Sequence, residues 1–345
     1  PQTAGKVFYE RVNRILDQAK FDRFVEDACE KFYAEVMGRP SLAPGKYFRM
    51  LLVGYFEGID WERGIAWRCA DSLSLRGFIG VGLGEAVPDH STVSRTRRLI
   101  DLETHGKVFS WMLGVLAGEG LIDGKTVGVD ASTLEANAAM RSIVRRDTGE
   151  AYKEFLTRLA KASGIDTPTQ TDLARLDRKR SKKGSNKEWE SPHDPDARIT
   201  KMKDGRTHLA HKVEHVADMK TGAILAVTVQ EADHGDTTTI KETMIEAAHQ
   251  MTILATDPES KLRSDVLSEL VTDKGYHSND TLTGFKDLNI RSYISEPDRG
   301  RRNWKGKLDA KQAVYANRRR IRGNRGKQLL RQRGLMLERP FAHTL

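Results

Sequence analysis

The sequence predicts an α/β protein: an all-helical region over residues 1–120, then a mixed sheet flanked by helices over residues 121–345. In the first stretch, apolar side chains recur at three- and four-residue spacing. Beyond Gly124, short β-rich runs alternate with helical segments. The length of 345 residues agrees, since roughly 100–200 residues make one domain.

Val7, Phe8, Val12, Ile15 and Leu16 lie at helical spacing, as do Phe48, Leu51, Leu52 and Tyr55. Pro40, Pro44 and Pro88, with Gly38 and Gly84, punctuate the segments. After Pro88, the stretch 89–98 offers cap candidates and then a basic helix carrying Arg95, Arg97 and Arg98. Several helices ending in a short basic one are compatible with a helix-turn-helix DNA reader, the three arginines meeting phosphates. A plain bundle with a solvated arginine face is the alternative.

Residues 126–129 form a β-type run that ends at Asp130. The stretch 141–206 holds 17 basic and 11 acidic residues and few large apolar ones, which predicts an exposed insertion or mobile linker. Residues 209–216 and 223–229 are β-rich and joined by turn residues, a hairpin. A helix over about 240–254 follows, then a strand over 269–272 that ends at Asp273. A helix near 280–287 leads to a strand over 290–294, and basic helical segments run onward.

Composition excludes some classes. With 38% hydrophobic residues, a mean hydropathy of −0.56 and no apolar run near the ~20 residues of a span, a helical membrane protein is excluded. No basic-then-apolar leader opens the chain, so nothing predicts export; its first residue, Pro1 rather than Met, suggests a fragment. Two cysteines, Cys29 and Cys69, exclude a disulfide scaffold and a four-cysteine zinc module, and suit a reducing cytoplasm. The net charge is +9. Residues 298–339 alone carry +12, so the rest sums to −3. A strip of that kind suits phosphates, with Arg318, Arg319, Arg320, Arg322 and Arg325 as its densest part. A solvated basic tail is the alternative.

Asp130 and Asp273 each close a predicted strand, 143 positions apart. In open α/β sheets this edge collects reacting groups. Carboxylates fixed there suit hard Mg²⁺, and two such ions can activate a water or 3′-OH for in-line phosphoryl transfer. Most strand-end Asp residues, however, are turn or cap residues. Glu296, after the last strand, is a possible third acid or a loop cap. Asp236 or Thr237 is expected to cap a helix. His208, His211 and His215 lack the face and the cysteine partners of a zinc site. Glu135 is read as a supporting residue, and Tyr276 as either a base-stacking or a packing side chain.

In the segment 272–276 a flexible Gly and an aromatic follow the strand-end acid directly. With this Asp-Lys-Gly-Tyr segment, the segment 128–137 around Asp130 and the segment 337–343 around Glu338, the chain resembles insertion-sequence transposases of the DDE class, in the bacterial group related to IS4 and IS5. The helical first region resembles that family's DNA-binding domain. The resemblance implies an RNase H-like catalytic domain and a triad of Asp130, Asp273 and Glu338 holding Mg²⁺, for which Mn²⁺ can substitute. It implies cleavage at the element's terminal inverted repeats and joining to target DNA. The expected partners are that double-stranded DNA and a second copy of the chain, in a bacterial cytoplasm at the nucleoid. Many relatives carry a Tyr, an Arg and a Lys around the Glu, where this chain has Arg331, Gly334 and Leu345, with Arg333 as the candidate substitute for the Arg. The chain stops seven residues past Glu338, so the third-acid helix is expected to be cut short. Rival readings are an inactive fragment that binds inverted repeats and an RNase H-like nuclease without strand transfer.

Overall fold

The computed structural model describes residues 4–33, 41–180, 184–202, 204–300 and 302–344, with side chains described as far as Leu337. Among the described residues the first region holds the α-helices α1 (Ala4–Gln18), α2 (Phe21–Cys29), α3 (Pro44–Glu57), α4 (Glu62–Asp71), α5 (Leu73–Phe78), α6 (His90–Leu99) and α7 (Leu102–Gly118). Pro44 occupies the first turn of α3, where a missing N–H costs nothing, and Gly58 ends that helix in the left-handed region at φ 66°. Asp89 caps α6 by accepting from Ser91 N at 2.6 Å, and Asp101 caps α7 through Thr104 N at 2.8 Å.

These helices share a core that includes Tyr9, Leu16, Phe21, Tyr47, Phe48, Met50 and Val93. The buried stripe of α1 is Tyr9 and Leu16, with Val12 and Asn13 between them half-buried. Phe8, Ile15 and, on α3, Tyr55 are exposed, so apolar spacing located these helices but not their inner faces. Polar side chains explain the rotation. Arg49, 5% exposed, reaches Asp22 at 2.9 Å, Asp17 at 3.2 Å and Asn13, which turns those acids toward α3.

The second region is built on β1 (Thr126–Glu135). Next come β2 (Val144–Arg145), α8 (Tyr152–Ala162), α9 (Gln170–Lys179), β3 (Trp189–Glu190), β4 (Arg198–Lys201), β5 (Thr207–Asp218) and β6 (Ile224–Glu231). The chain continues through α10 (Asp236–Ala255), β7 (Glu269–Thr272), α11 (Asn279–Asp287), β8 (Arg291–Ile294), α12 (Leu308–Arg322) and α13 (Asn324–Thr344).

β1 pairs antiparallel with β5, placing Asp130 opposite His215, and parallel with β7, placing Gly128 opposite Val271. β8 extends the parallel side, while β4 and β6 share the outer edge of β5. The hairpin from β5 to β6 is fixed by buried Asp218, which accepts from Gly124 N at 2.7 Å and Lys220 N at 2.8 Å. Asn317 of α12 bonds both ways to the Ile294 backbone at 3.0 and 2.8 Å, covering the open edge at β8.

One face of the sheet packs on α10, through Val127, Val129, Val216, Ile240 and Met244. The other face receives α13. Leu337 lies so close to Gly128 that a Cβ there would come within 2.9 Å of it.

The stretch 141–206 is not a linker, contrary to the expectation from its charge. Its described residues fold around Trp189, 1% exposed, with Ile143, Phe155, Leu156, Ala160 and Leu173. Arg145, Arg158 and Arg180 lie over the Phe155 ring, so part of the charge covers aromatic surface by cation–π contact rather than facing water alone. Among the described residues no helix is long and apolar enough to cross a membrane.

Candidate active site

Two residues beyond the Gly128–Val271 pair, on both strands, stand Asp130 and Asp273. Side chains alternate along a strand, so Asp130 continues the face of β1 that meets α13, while Asp273 stands one residue past the end of β7. β1 does not end at Asp130, as its sequence suggested; it runs on to Glu135, paired with β5. Only its parallel pairing to β7 stops at Gly128.

Asp130 accepts from Ala131 N at 3.0 Å and, at Oδ2, from Arg333 Nη1 at 3.1 Å. Burial pushes its carboxyl up, Arg333 and the Ala131 amide oppose the shift, and nearby Asp273 adds to it. Asp273 opens a single 3-10 turn, Lys274–Tyr276, and accepts from Gly275 N at 2.7 Å. Glu338 belongs to α13, one residue past buried Leu337; its side chain lies outside the described residues.

Other expectations find different partners. Asp236 does not cap α10, whose N-cap is Gly235; its Oδ1 takes Lys212 Nζ at 2.6 Å. A Cβ on Gly275 would collide with Asp236 Oδ2 and come within 3.0 Å of Asp273 Oδ1, so these two acids flank one point. Tyr276 is 1% exposed and donates to Glu214 at 2.8 Å, which removes it as a base-stacking surface. Glu296 is held by Arg318 at 2.5 and 2.7 Å and by Arg302 at 3.3 Å, and Arg318 keeps its carboxyl below the usual range. A carboxylate so neutralised is a poor third ligand. His208 bonds Glu135 and Asp204, and His211 bonds Asp194, three separate contacts rather than one metal cage. A cluster with ligand spacing does occur at Glu231, Asp233 and His234, at and just beyond the end of β6, with Glu231 tied to Arg198.

The arginines divide by their partners. On α6, Arg95 and Arg98 are exposed and bond only to their own helix, whereas Arg97 pairs with Glu62 at 2.8 Å. Arg319 and Arg322 are exposed. Arg318 holds Glu296, Arg320 donates to Ser292 O at 2.8 Å, and Arg325 pairs with Glu269.

Sequence reasoning missed Lys212 and Glu214. The signal was present: Ala210, Lys212, Glu214 and Val216 share one face of β5, and charges on an otherwise apolar face must be paired. Also missed was His277, fully buried, with neither ring nitrogen hydrogen-bonded.

Residues 2–99 match the family model described as "Transposase domain (DUF772)". That match supports a transposase role. No curated protein matches the chain. Among solved structures, the "Mos1 transposase paired-end complex with left transposon end" matches at 8% identity and a TM-score of 0.23, over 90% of this chain and 81% of that chain.

Proposed function

We propose that the chain is a DDE-class DNA transposase that cuts the ends of its own element and joins them to target DNA. The carrying observation is the parallel pairing of β1 with β7, beyond which Asp130 and Asp273, 143 positions apart in sequence, stand close enough for the charge of Asp273 to push the Asp130 carboxyl up. β1 antiparallel to β5, with β7 and β8 added parallel on its other side, supports the RNase H-like reading.

The donors fit Mg²⁺. They are carboxylate oxygens, the ligand type a hard cation takes, and Asp130 is a largely buried acid pushed up by burial and by its neighbour Asp273. Asp130 and Asp273 would hold the metal together with Glu338. When bound, Mg²⁺ would supply Lewis acidity to phosphoryl transfer. The chain's own residues bind, orient and neutralise. Arg333 holds Asp130 by charge, and Leu337 seats α13 on Gly128 so that this helix lies against the same strand. Arg95, Arg98, Arg319 and Arg322 would track phosphates and give affinity with little sequence discrimination. The nucleophiles are water and then a DNA 3′-OH, so no covalent protein–DNA bond is needed. The helices up to α7 would hold the inverted repeats, with a homodimer pairing two ends.

The test is incubation with Mg²⁺ or Mn²⁺ and supercoiled plasmid carrying the gene's own flanks, beside Asp273→Ala. Metal-dependent nicks at the element boundary, absent from the variant, are the expected result. Cleavage that persists in Asp273→Ala refutes the assignment.

A further inference from the structure

The turn after Asp273 is gripped from beneath by a buried polar network on the sheet face opposite α13. Its centre is Lys212, 5% exposed, on β5. Lys212 Nζ donates to Asp236 Oδ1 at 2.6 Å, Thr239 Oγ1 at 2.8 Å and His234 O at 3.4 Å. Thr239 passes the chain on, donating to Glu214 Oε1 at 3.0 Å. Glu214 is fully buried, lies 3.8 Å from Lys212, and also accepts from Thr243 Oγ1 and the Tyr276 hydroxyl. Two adjacent residues of the turn therefore each have a holder. Asp236 packs on Gly275, where no Cβ fits, and Glu214 anchors Tyr276. Asp273 itself stands just before these two residues.

Burying an ammonium and a carboxylate costs several kcal/mol per ion unless geometry and hydrogen bonds repay it, so such a network is weak evidence for stability alone. Here its two acids reach adjacent residues of one turn, and that turn aims one candidate ligand. We propose that Lys212 is a positioning residue for the Asp273 carboxylate, acting through Asp236 on Gly275 and through Glu214 on Tyr276. The inference rests on the reading of Asp273 as a metal ligand. It adds that the ligand's aim is set from the opposite sheet face.

The test uses the full chain without DNA and reads Mn²⁺ affinity by isothermal titration, with thermal melts alongside. Lys212→Met should weaken Mn²⁺ binding about 10–100-fold, the usual effect of losing a group that orients a ligand. Should that variant fail to fold, Tyr276→Phe keeps every charge and should still weaken binding several-fold while melting as a folded protein. In plasmid cleavage it should lower kcat and leave KM for DNA unchanged. Tighter Mn²⁺ binding by Lys212→Met would overturn the proposal, because it would make Asp236 a ligand for which Lys212 competes. Unchanged affinity in folded Tyr276→Phe would also overturn it, leaving the network a purely structural one. If wild type and Asp273→Ala bind Mn²⁺ equally, the transposase site assignment itself fails, an outcome distinct from both.

Discussion

Arg333 Nη1 stands 3.1 Å from Asp130 Oδ2, an ion pair closed between α13 and the central strand across 203 positions of sequence. Both side chains are 20% exposed, so the pair is sheltered enough to matter energetically. It gives Asp130 a counter-charge that opposes the upward push of burial on its carboxyl.

Removing that counter-charge should therefore have a conditional cost. Arg333→Gln is expected to lose about 1.5–3 kcal/mol in the presence of chelator, the range for a hydrogen bond to a charged partner. Saturating Mg²⁺ should shrink the deficit, because an ion at Asp130 replaces the lost charge. Urea unfolding of both proteins, with and without Mg²⁺, checks this; a deficit that ignores the ion contradicts it.

The two classes of arginine should separate in binding and stability measurements. Arg95→Ala or Arg98→Ala should each reduce the salt slope of DNA binding by about 1 with stability unchanged. Arg325→Ala should instead cost roughly 1.5–3 kcal/mol, since Glu269, 2% exposed, loses its cation. Filter binding across a salt series and thermal melts on the same samples give both readings.

The charged insertion should behave as a folded unit. Trp189→Ala removes the largest side chain from its core and should cost about 3–5 kcal/mol locally. Limited proteolysis should then cut within 141–206 much faster than in wild type, while the helices up to α7 stay intact. Equal cutting rates would restore the linker reading.

Acid should weaken the fold through His215. Burial pushes its imidazole down to about 4. A depressed histidine leaves stability complete above the unfolded value near 6.5, and loses it as pH falls toward 4, for a total of about 3 kcal/mol. His215→Gln should show a flatter decline across that window, measured as the difference in melting temperature between the two proteins.

Much of the second region was legible in the sequence because its strands announce themselves. The strand over 269–272 is bounded as expected, and the hairpin follows from turn residues whose anchor, Asp218, is buried beneath them. The end of β1 was not legible. Nothing in 131–135 says that pairing to β5 continues after pairing to β7 stops; a polar, half-buried strand carries no apolar alternation to read. The insertion was misread because six well-spaced apolar side chains are diluted by charge, and only the fold collects them around Trp189. The strand-end setting expected for Asp130 and Asp273 holds for Asp273 and not for Asp130, whereas Lys212 and Glu214 were passed over as ordinary charges on a β-rich run. Arg318, Arg320 and Arg325 looked like their neighbours because a basic run does not show which members hold a partner within the fold.

The span between Asp130 and Arg333 also sets an order in time. A ribosome must add 203 residues after Asp130 before its partner arginine exists. Until then β1 carries a carboxylate with neither its cation nor the helix that covers its face. Pairing over such separation is slow, because the entropy of closing the loop must be met before the contact repays it. The Asp130–Arg333 pair is thus among the late contacts of the fold, closed only after the strands it spans are complete.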